Sequence, residues 1–174
     1  VAAEPWEGTL DVTSYPSIAW QTPGSLLNER DVSQMSEHSL FLNLFTPASE
    51  GAGRPVPLWI HGGGFPEGSA NDYNGSILAE QGDVGVVAID YRLGIFGFLD
   101  LSAFGPDFAG SASNGIRDQI QALIWVRDNI ADYGGDPRNV TIFGESAGGG
   151  SVQALISSRS ADGLYHKAIV HSTG

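Results

Sequence analysis

The sequence predicts an α/β fold in which a mostly parallel sheet carries helices on both faces. Short apolar runs typical of strands lie at residues 40–45, 56–60, 84–89, 140–143 and 168–170. Most of these runs are continuous rather than alternating, as in parallel strands that are buried on both faces. Helical patterns separate several of the runs, and strands that alternate with helices indicate the α/β class.

The clearest helical pattern lies before the fourth predicted strand. Its apolar side chains recur at helical spacing, with polar side chains on the opposite side. The apolar positions are Ile116, Ile120, Leu123, Ile124 and Ile130, and the polar ones are Arg117, Gln121, Arg127 and Asp128. We expect Asn114 to cap the start of this helix and Gly134 to end it.

Length and charge exclude several classes of protein. The 174 residues fit a single domain, and a hydrophobic content of 41% suffices for a sizeable core. The formal net charge of −12 disfavours nucleic acids and anionic membrane surfaces as partners. Because no apolar run approaches the roughly 20 residues of a membrane-spanning helix, we predict no transmembrane segment.

Cofactor and metal sites are not predicted. The chain contains no cysteine, which excludes disulfides, thiolate metal ligands and a thiol nucleophile. Its glycine-rich turns lack the lysine and hydroxyl residue of a P-loop, and they lack the G-x-G-x-x-G pattern of a dinucleotide site.

A candidate nucleophile follows the fourth predicted strand. This strand runs into G-E-S-A-G at residues 144–148, and a helical stretch follows. G-x-S-x-G between a strand and a helix is typical of a strained turn that exposes a catalytic serine. We therefore predict Ser146 as a nucleophile, with the N–H of Ala147 as an oxyanion donor at the helix N-terminus. A glycine-rich turn with an incidental serine is the alternative.

A second glycine cluster follows the second predicted strand, where the sequence reads HGGGF from His61 to Phe65. Glycine allows backbone amides to face a substrate oxygen without obstruction. We predict Gly63 and Gly64 as further oxyanion donors, with Phe65 supporting the pocket. His61 is a candidate general base, but its place before the glycines favours a role in orienting the loop. The two clusters together predict acyl transfer.

Residues 6–174 resemble the carboxylesterase and cholinesterase-type lipases of the α/β-hydrolase superfamily. The resemblance is carried, in order, by residues 36–43, 56–64, 90–99 and 114–152. It implies an α/β-hydrolase fold with Ser146 as nucleophile and the amides of Gly63, Gly64 and Ala147 as oxyanion donors. It also implies Glu145 as a buried acid that lines the pocket, either stabilising charge or water there or serving only the structure.

Other positions bear on the same resemblance. The family pattern places cysteines at Ala19 and Ser39, and both are missing here. Between these two positions, residues 24–34 lack the aromatic residue with which cholinesterases hold a quaternary ammonium group, so a choline ester specialist is not expected. Arg92 and Asp118 match scaffold residues, which we expect to pair rather than react.

The resemblance further implies a triad in the chain order serine, acid, histidine, with the last two lying much further along. After Ser146 this sequence offers Asp162, His166 and His171. His166 matches family scaffold, and His171 is a disfavoured substitute base because an unpositioned imidazole seldom has the needed geometry. We therefore expect an internal portion of a larger esterase domain, spanning residues 1–174, with low residual activity on small carboxylic esters.

Alternatives to an active esterase remain at this stage. If the chain is not an active esterase, it is a non-catalytic binding module or a fragment without independent activity. The intact Ser146 disfavours the binding module. The missing remainder of the hydrolase fold is an expected partner. The family's habit suggests secretion, in which case Asn74 is a candidate glycosylation site, while the compartment itself stays open.

Overall fold

The computed structural model describes residues 7–8, 11–23, 32–48 and 51–173. Five strands form one sheet in the order β1-β3-β2-β4-β5. Their bounds are β1 Leu42–Phe45, β2 Arg54–Ile60, β3 Val86–Ile89, β4 Gly135–Glu145 and β5 Lys167–His171. Strands β2, β3, β4 and β5 run parallel to one another, and β1 pairs antiparallel with β3. The mostly parallel sheet is confirmed, with β1 as its one antiparallel member.

Helices lie on both faces of this sheet, as predicted. Their bounds are α1 Ser76–Gly82, α2 Gly94–Phe98, α3 Asn114–Asn129 and α4 Ala147–Ile156. On one face, Leu78 of α1 shares a small apolar pocket with Trp59 and Phe143. Helices α3 and α4 pack on the opposite face. None of the helices in the described ranges is long and apolar enough to cross a membrane.

The main core lies between the sheet and helices α3 and α4. Alternate residues of β2 are completely buried there together with apolar residues of α3, and they include Val56, Leu58, Ile60, Leu123 and Val126. Strand β3 is buried along its whole length, whereas every residue of β5 is exposed. The expectation of burial on both faces therefore holds for β3. The central strand β2 is completely buried on one face only, and the expectation is wrong for β5, which lies at the edge of the sheet.

Helix α3 follows its predicted amphipathic pattern, although its first residues differ. All four predicted polar positions are exposed, and Leu123 is completely buried. The cap predicted at Asn114 is wrong, because Ser113 holds the N-cap position and the Asn114 amide donates to Phe96 O at 3.4 Å. The helical path ends at Gly134, whose φ is 82°.

An ion pair connects α3 to the segment that follows β3. The buried Asp118 carboxylate accepts hydrogen bonds from Arg92 N at 3.0 Å, Nε at 2.7 Å and Nη2 at 2.8 Å. These side-chain hydrogen bonds raise the pKa of Arg92 above its ordinary value. The pair therefore has the scaffold role that the resemblance implied.

Replacing this carboxylate should destabilise the fold. Asp118→Asn removes the charge that faces Arg92 and part of its hydrogen bonding at a buried position, so we expect the free energy of unfolding to fall by about 2 kcal/mol in urea titration. Asp128→Asn is the matched control. Its ion pair with Arg127 is half exposed, so this substitution should leave the free energy of unfolding nearly unchanged. Equal effects of the two substitutions would contradict the assignment.

Candidate active site

Ser146 occupies a strained turn between β4 and α4. Its φ of 55° and ψ of −123° lie outside the regions that residues with a side chain favour, at a cost of about 1–3 kcal/mol. The turn is held from both sides, because Ser146 N donates to His171 O of β5 at 3.0 Å and Gly150 N donates to Ser146 O at 3.0 Å. The strand, turn and helix predicted around this serine are therefore all present.

The first turn of α4 lies directly against the end of β2. A Cβ atom added to Gly148 would lie 2.0 Å from the carbonyl oxygen of Ile60, the last residue of β2. Only glycine permits this approach of helix to strand. The serine turn is thereby fixed next to the point where β2 ends.

The segment after β2, residues 61–68, is called the glycine loop here. Gly63 and Gly64 have φ values of 108° and 63°, which favour glycine, and Glu67 N donates to Gly63 O at 3.3 Å across the loop. A Cβ atom added to Gly62 would lie 3.2 Å from Ser146 Cβ. The structure therefore brings the two predicted glycine clusters into contact beside Ser146.

His61, the first residue of the glycine loop, is completely buried. Its Nδ1 lies 2.8 Å from Gly62 O, an arrangement in which Nδ1 carries the proton and donates. The ring stacks on Tyr91 with centroids 4.5 Å apart, and the Tyr91 hydroxyl donates to His61 O at 2.9 Å. Nε2 lies 3.8 Å from Oδ1 of buried Asp90. These contacts hold the His61 ring against Gly62, Tyr91 and Asp90, and its role in orienting the loop stays a prediction.

Tyr91 and Asp90 were not predicted as parts of this site. Burial raises the pKa of the Tyr91 hydroxyl well above its ordinary value, so this group stays a neutral donor to His61 O. Asp90 Oδ1 also accepts from Ala70 N at 2.9 Å. Both residues directly follow β3, and the carboxyl ends of parallel strands share one edge of a sheet. Their position in the sequence could therefore have indicated that they lie near the glycine loop.

Phe65 and Ala147 occupy the places predicted for them beside the turn. The Phe65 ring packs edge-on against Phe98 with centroids 4.9 Å apart, and a Cβ atom added to Gly150 would lie 3.5 Å from it. Ala147 is the first residue of α4, where backbone N–H groups have no partner within the helix.

The burial expected for Glu145 is wrong. Glu145 is the last residue of β4, and its register partner is His171 of the exposed strand β5. At this end of the sheet its side chain is exposed. Its Oε2 would lie 3.2 Å from a Cβ atom on Gly62, so it borders the glycine loop.

The side chains of the remaining histidines form no hydrogen bond with Ser146 in the described part of the chain. His166 Nδ1 accepts from Val140 N at 3.1 Å, which ties it to the earlier part of β4, and His38 is exposed against Phe41. His171 contacts Ser146 through its backbone carbonyl. Across the described ranges, no side chain forms a hydrogen bond with the Ser146 hydroxyl. That part of the chain also contains no cluster of three or more His, Asp or Glu residues suited to a metal ion.

A mostly parallel sheet with a strained serine turn against a glycine loop defines an α/β-hydrolase. The chain belongs to the carboxylesterase family, whose model matches residues 1–174. It is 48% identical to para-nitrobenzyl esterase of Bacillus subtilis, over 97% of this chain and 35% of that protein. With liver carboxylesterase B-1 of Rattus norvegicus the identity is 45%, over 98% of this chain and 32% of that protein.

A solved structure agrees with these relatives. The fold matches a thermophilic PNB esterase with a TM-score of 0.88 and 46% identity, covering 95% of this chain and 34% of that one. The chain thus spans about a third of the length of the proteins it matches.

Two glycines of α4 should respond in opposite ways to alanine. Gly148→Ala places a methyl group against Ile60 O, so we expect the free energy of unfolding to fall by about 3 kcal/mol. Gly150→Ala makes only an ordinary contact with Phe65 and should stabilise the helix by up to about 1 kcal/mol. Thermal unfolding of both variants measures the difference, and a well-tolerated Gly148→Ala would contradict the close approach.

Proposed function

We propose that this chain carries the nucleophile and the oxyanion hole of a serine carboxylic-ester hydrolase that works through an acyl-enzyme. The observation that carries this proposal is the contact of Gly62 with the Ser146 turn, which joins the glycine loop to the serine. Membership of the carboxylesterase family supports a small-molecule carboxylic ester as the substrate.

The proposed chemistry uses the groups at this contact. Ser146 Oγ attacks the ester carbonyl carbon, and the carbonyl electron pair moves to the oxygen. The N–H groups of Gly63, Gly64 and Ala147 donate to this oxyanion. When the carbonyl re-forms, the ester C–O bond breaks and the alcohol leaves with the proton that Ser146 Oγ has lost. Water then attacks the acyl-enzyme, which releases the free acid and restores the Ser146 hydroxyl.

The strength of the nucleophile limits the activity of this chain alone. A serine hydroxyl without an adjacent base is a weak nucleophile, and no described side chain supplies one to Ser146. An oxyanion hole and substrate binding alone retain about 10³–10⁴-fold catalysis over water. We therefore expect slow residual hydrolysis.

A non-catalytic binding module is the alternative. A binding module has no use for a serine held at a φ of 55° next to a glycine loop. A nucleophile does, because the strained turn exposes its hydroxyl to the substrate. The strained turn therefore favours an enzyme.

Labelling by a fluorophosphonate probe should depend on Ser146. The oxyanion hole stabilises the phosphoryl oxygen of the probe while Ser146 Oγ attacks phosphorus and fluoride leaves, so we expect slow labelling of the wild type and none of Ser146→Ala, measured by mass spectrometry. Ser157→Ala, at an exposed serine just after α4, is the control and should label like the wild type. Labelling that survives Ser146→Ala, or a wild type that takes up no probe, would contradict the proposal.

The dependence of the labelling rate on pH should give no sign of a histidine base. His171 contacts the serine turn only through its backbone, so His171→Ala is expected to leave the labelling rate within about twofold. Without a base the labelling rate keeps rising with pH, whereas a side-chain base makes the rate level off once that base has lost its proton. A plateau that disappears in His171→Ala would instead identify His171 as the base.

A further inference from the structure

Gln21, which is far from the serine turn in sequence, forms hydrogen bonds with the last residue of the glycine loop. Gly68 N donates to Gln21 Oε1 at 2.9 Å, and Gln21 Nε2 donates back to Gly68 O at 3.0 Å. The same Nε2 also donates to Ala19 O at 3.1 Å. Gln21 and Gly68 are 47 residues apart, so these bonds join two distant segments.

The chemistry of this contact is specific to a primary amide. A Gln side chain presents a donor and an acceptor in one plane and so matches both the N–H and the C=O of a single residue. The extra bond to Ala19 O fixes which end of the amide faces which backbone group. Gly68 is buried, so losing these bonds leaves two backbone polar groups without their partner.

Gly68 in turn packs on the groups that orient the loop. Its φ is 121°, and a Cβ atom there would lie 2.3 Å from His61 Nδ1 and 2.6 Å from Gly62 O. Those two atoms form the bond that ties the histidine ring to the loop. A displacement of Gly68 therefore acts directly on the residue that contacts Ser146.

The start and the middle of the loop have their own attachments. Gly94 N donates to Phe65 O at 2.9 Å, and the Tyr91 hydroxyl donates to His61 O. Gln21 holds the end at which the loop returns towards His61. Since Glu67 N bonds to Gly63 O, a shift at this end reaches the proposed oxyanion donors within a few residues.

From these contacts we infer that Gln21 is a positioning residue for the oxyanion hole, acting through Gly68 on the glycine loop. The inference rests on the proposed function of that loop. It predicts that removing the amide slows attack at Ser146 without weakening the initial binding of a reagent.

The test compares Gln21→Met with Asn71→Ala. Methionine keeps the length of the side chain but cannot form the paired bonds. Asn71 Nδ2 donates to Pro16 O at 3.0 Å, so its loss loosens the same N-terminal segment without touching Gly68. Fluorophosphonate kinetics should give a first-order phosphonylation constant at least tenfold lower for Gln21→Met, with the dissociation constant of the initial complex within twofold. Asn71→Ala should match the wild type in both constants.

Amide hydrogen exchange supplies a readout that does not need a reactive serine. We expect amides of residues 62–68 to exchange about tenfold faster in Gln21→Met and at the wild-type rate in Asn71→Ala. Lower thermal stability with unchanged phosphonylation and unchanged loop exchange would overturn the inference, since that pattern marks a merely structural residue. If Gln21→Met does not fold, Gln21→Asn, which keeps the amide but shortens its reach, takes its place with the same criteria.

The two proposals fail in different ways. A wild type that takes up no probe contradicts the proposed function, and the exchange rates then decide alone whether Gln21 holds the loop. Probe uptake at Ser146 with equal constants in wild type and Gln21→Met overturns only the role of Gln21.

Discussion

The site depends on the packing of backbone against backbone where α4 meets the end of β2. Gly148 lies against the carbonyl of Ile60, and the glycine loop begins at the next residue. Helix, serine turn and loop are therefore all fixed relative to one point of the sheet. Because no side chain intervenes, the relative position of these parts depends little on rotamers and strongly on the absence of Cβ atoms.

Patterns confined to a few neighbouring residues predicted most of the fold. The continuous apolar run ending at Ile60 and the G-x-S-x-G turn around Ser146 each describe one local structure, and both are found where expected. The direction of β1 was not predictable, because the short apolar run at residues 40–45 carries no information on its orientation in the sheet. The burial assumed for Glu145 failed because exposure at a strand end depends on what packs around it, which no local pattern states.

The candidate site likewise contains residues that local patterns predict and residues that they do not. Ser146, Gly63 and Gly64 belong to motifs that their neighbours make recognisable. The residues that hold the glycine loop act across long stretches of chain, and Gln21 is an isolated glutamine whose partner lies 47 positions away. Nothing beside it in the sequence distinguishes it from a solvated glutamine, so only the folded backbone shows its role.

The bond from Ser146 N to His171 O has a consequence for the durability of the site. The unfavourable backbone angles of the serine are restrained by β5, a strand whose residues are all exposed. Edge strands open by local unfolding at lower free energy than the core. Fraying of β5 would release that N–H and let the serine relax to ordinary backbone angles, so on mild heating the strained serine turn is expected to be lost before the hydrophobic core.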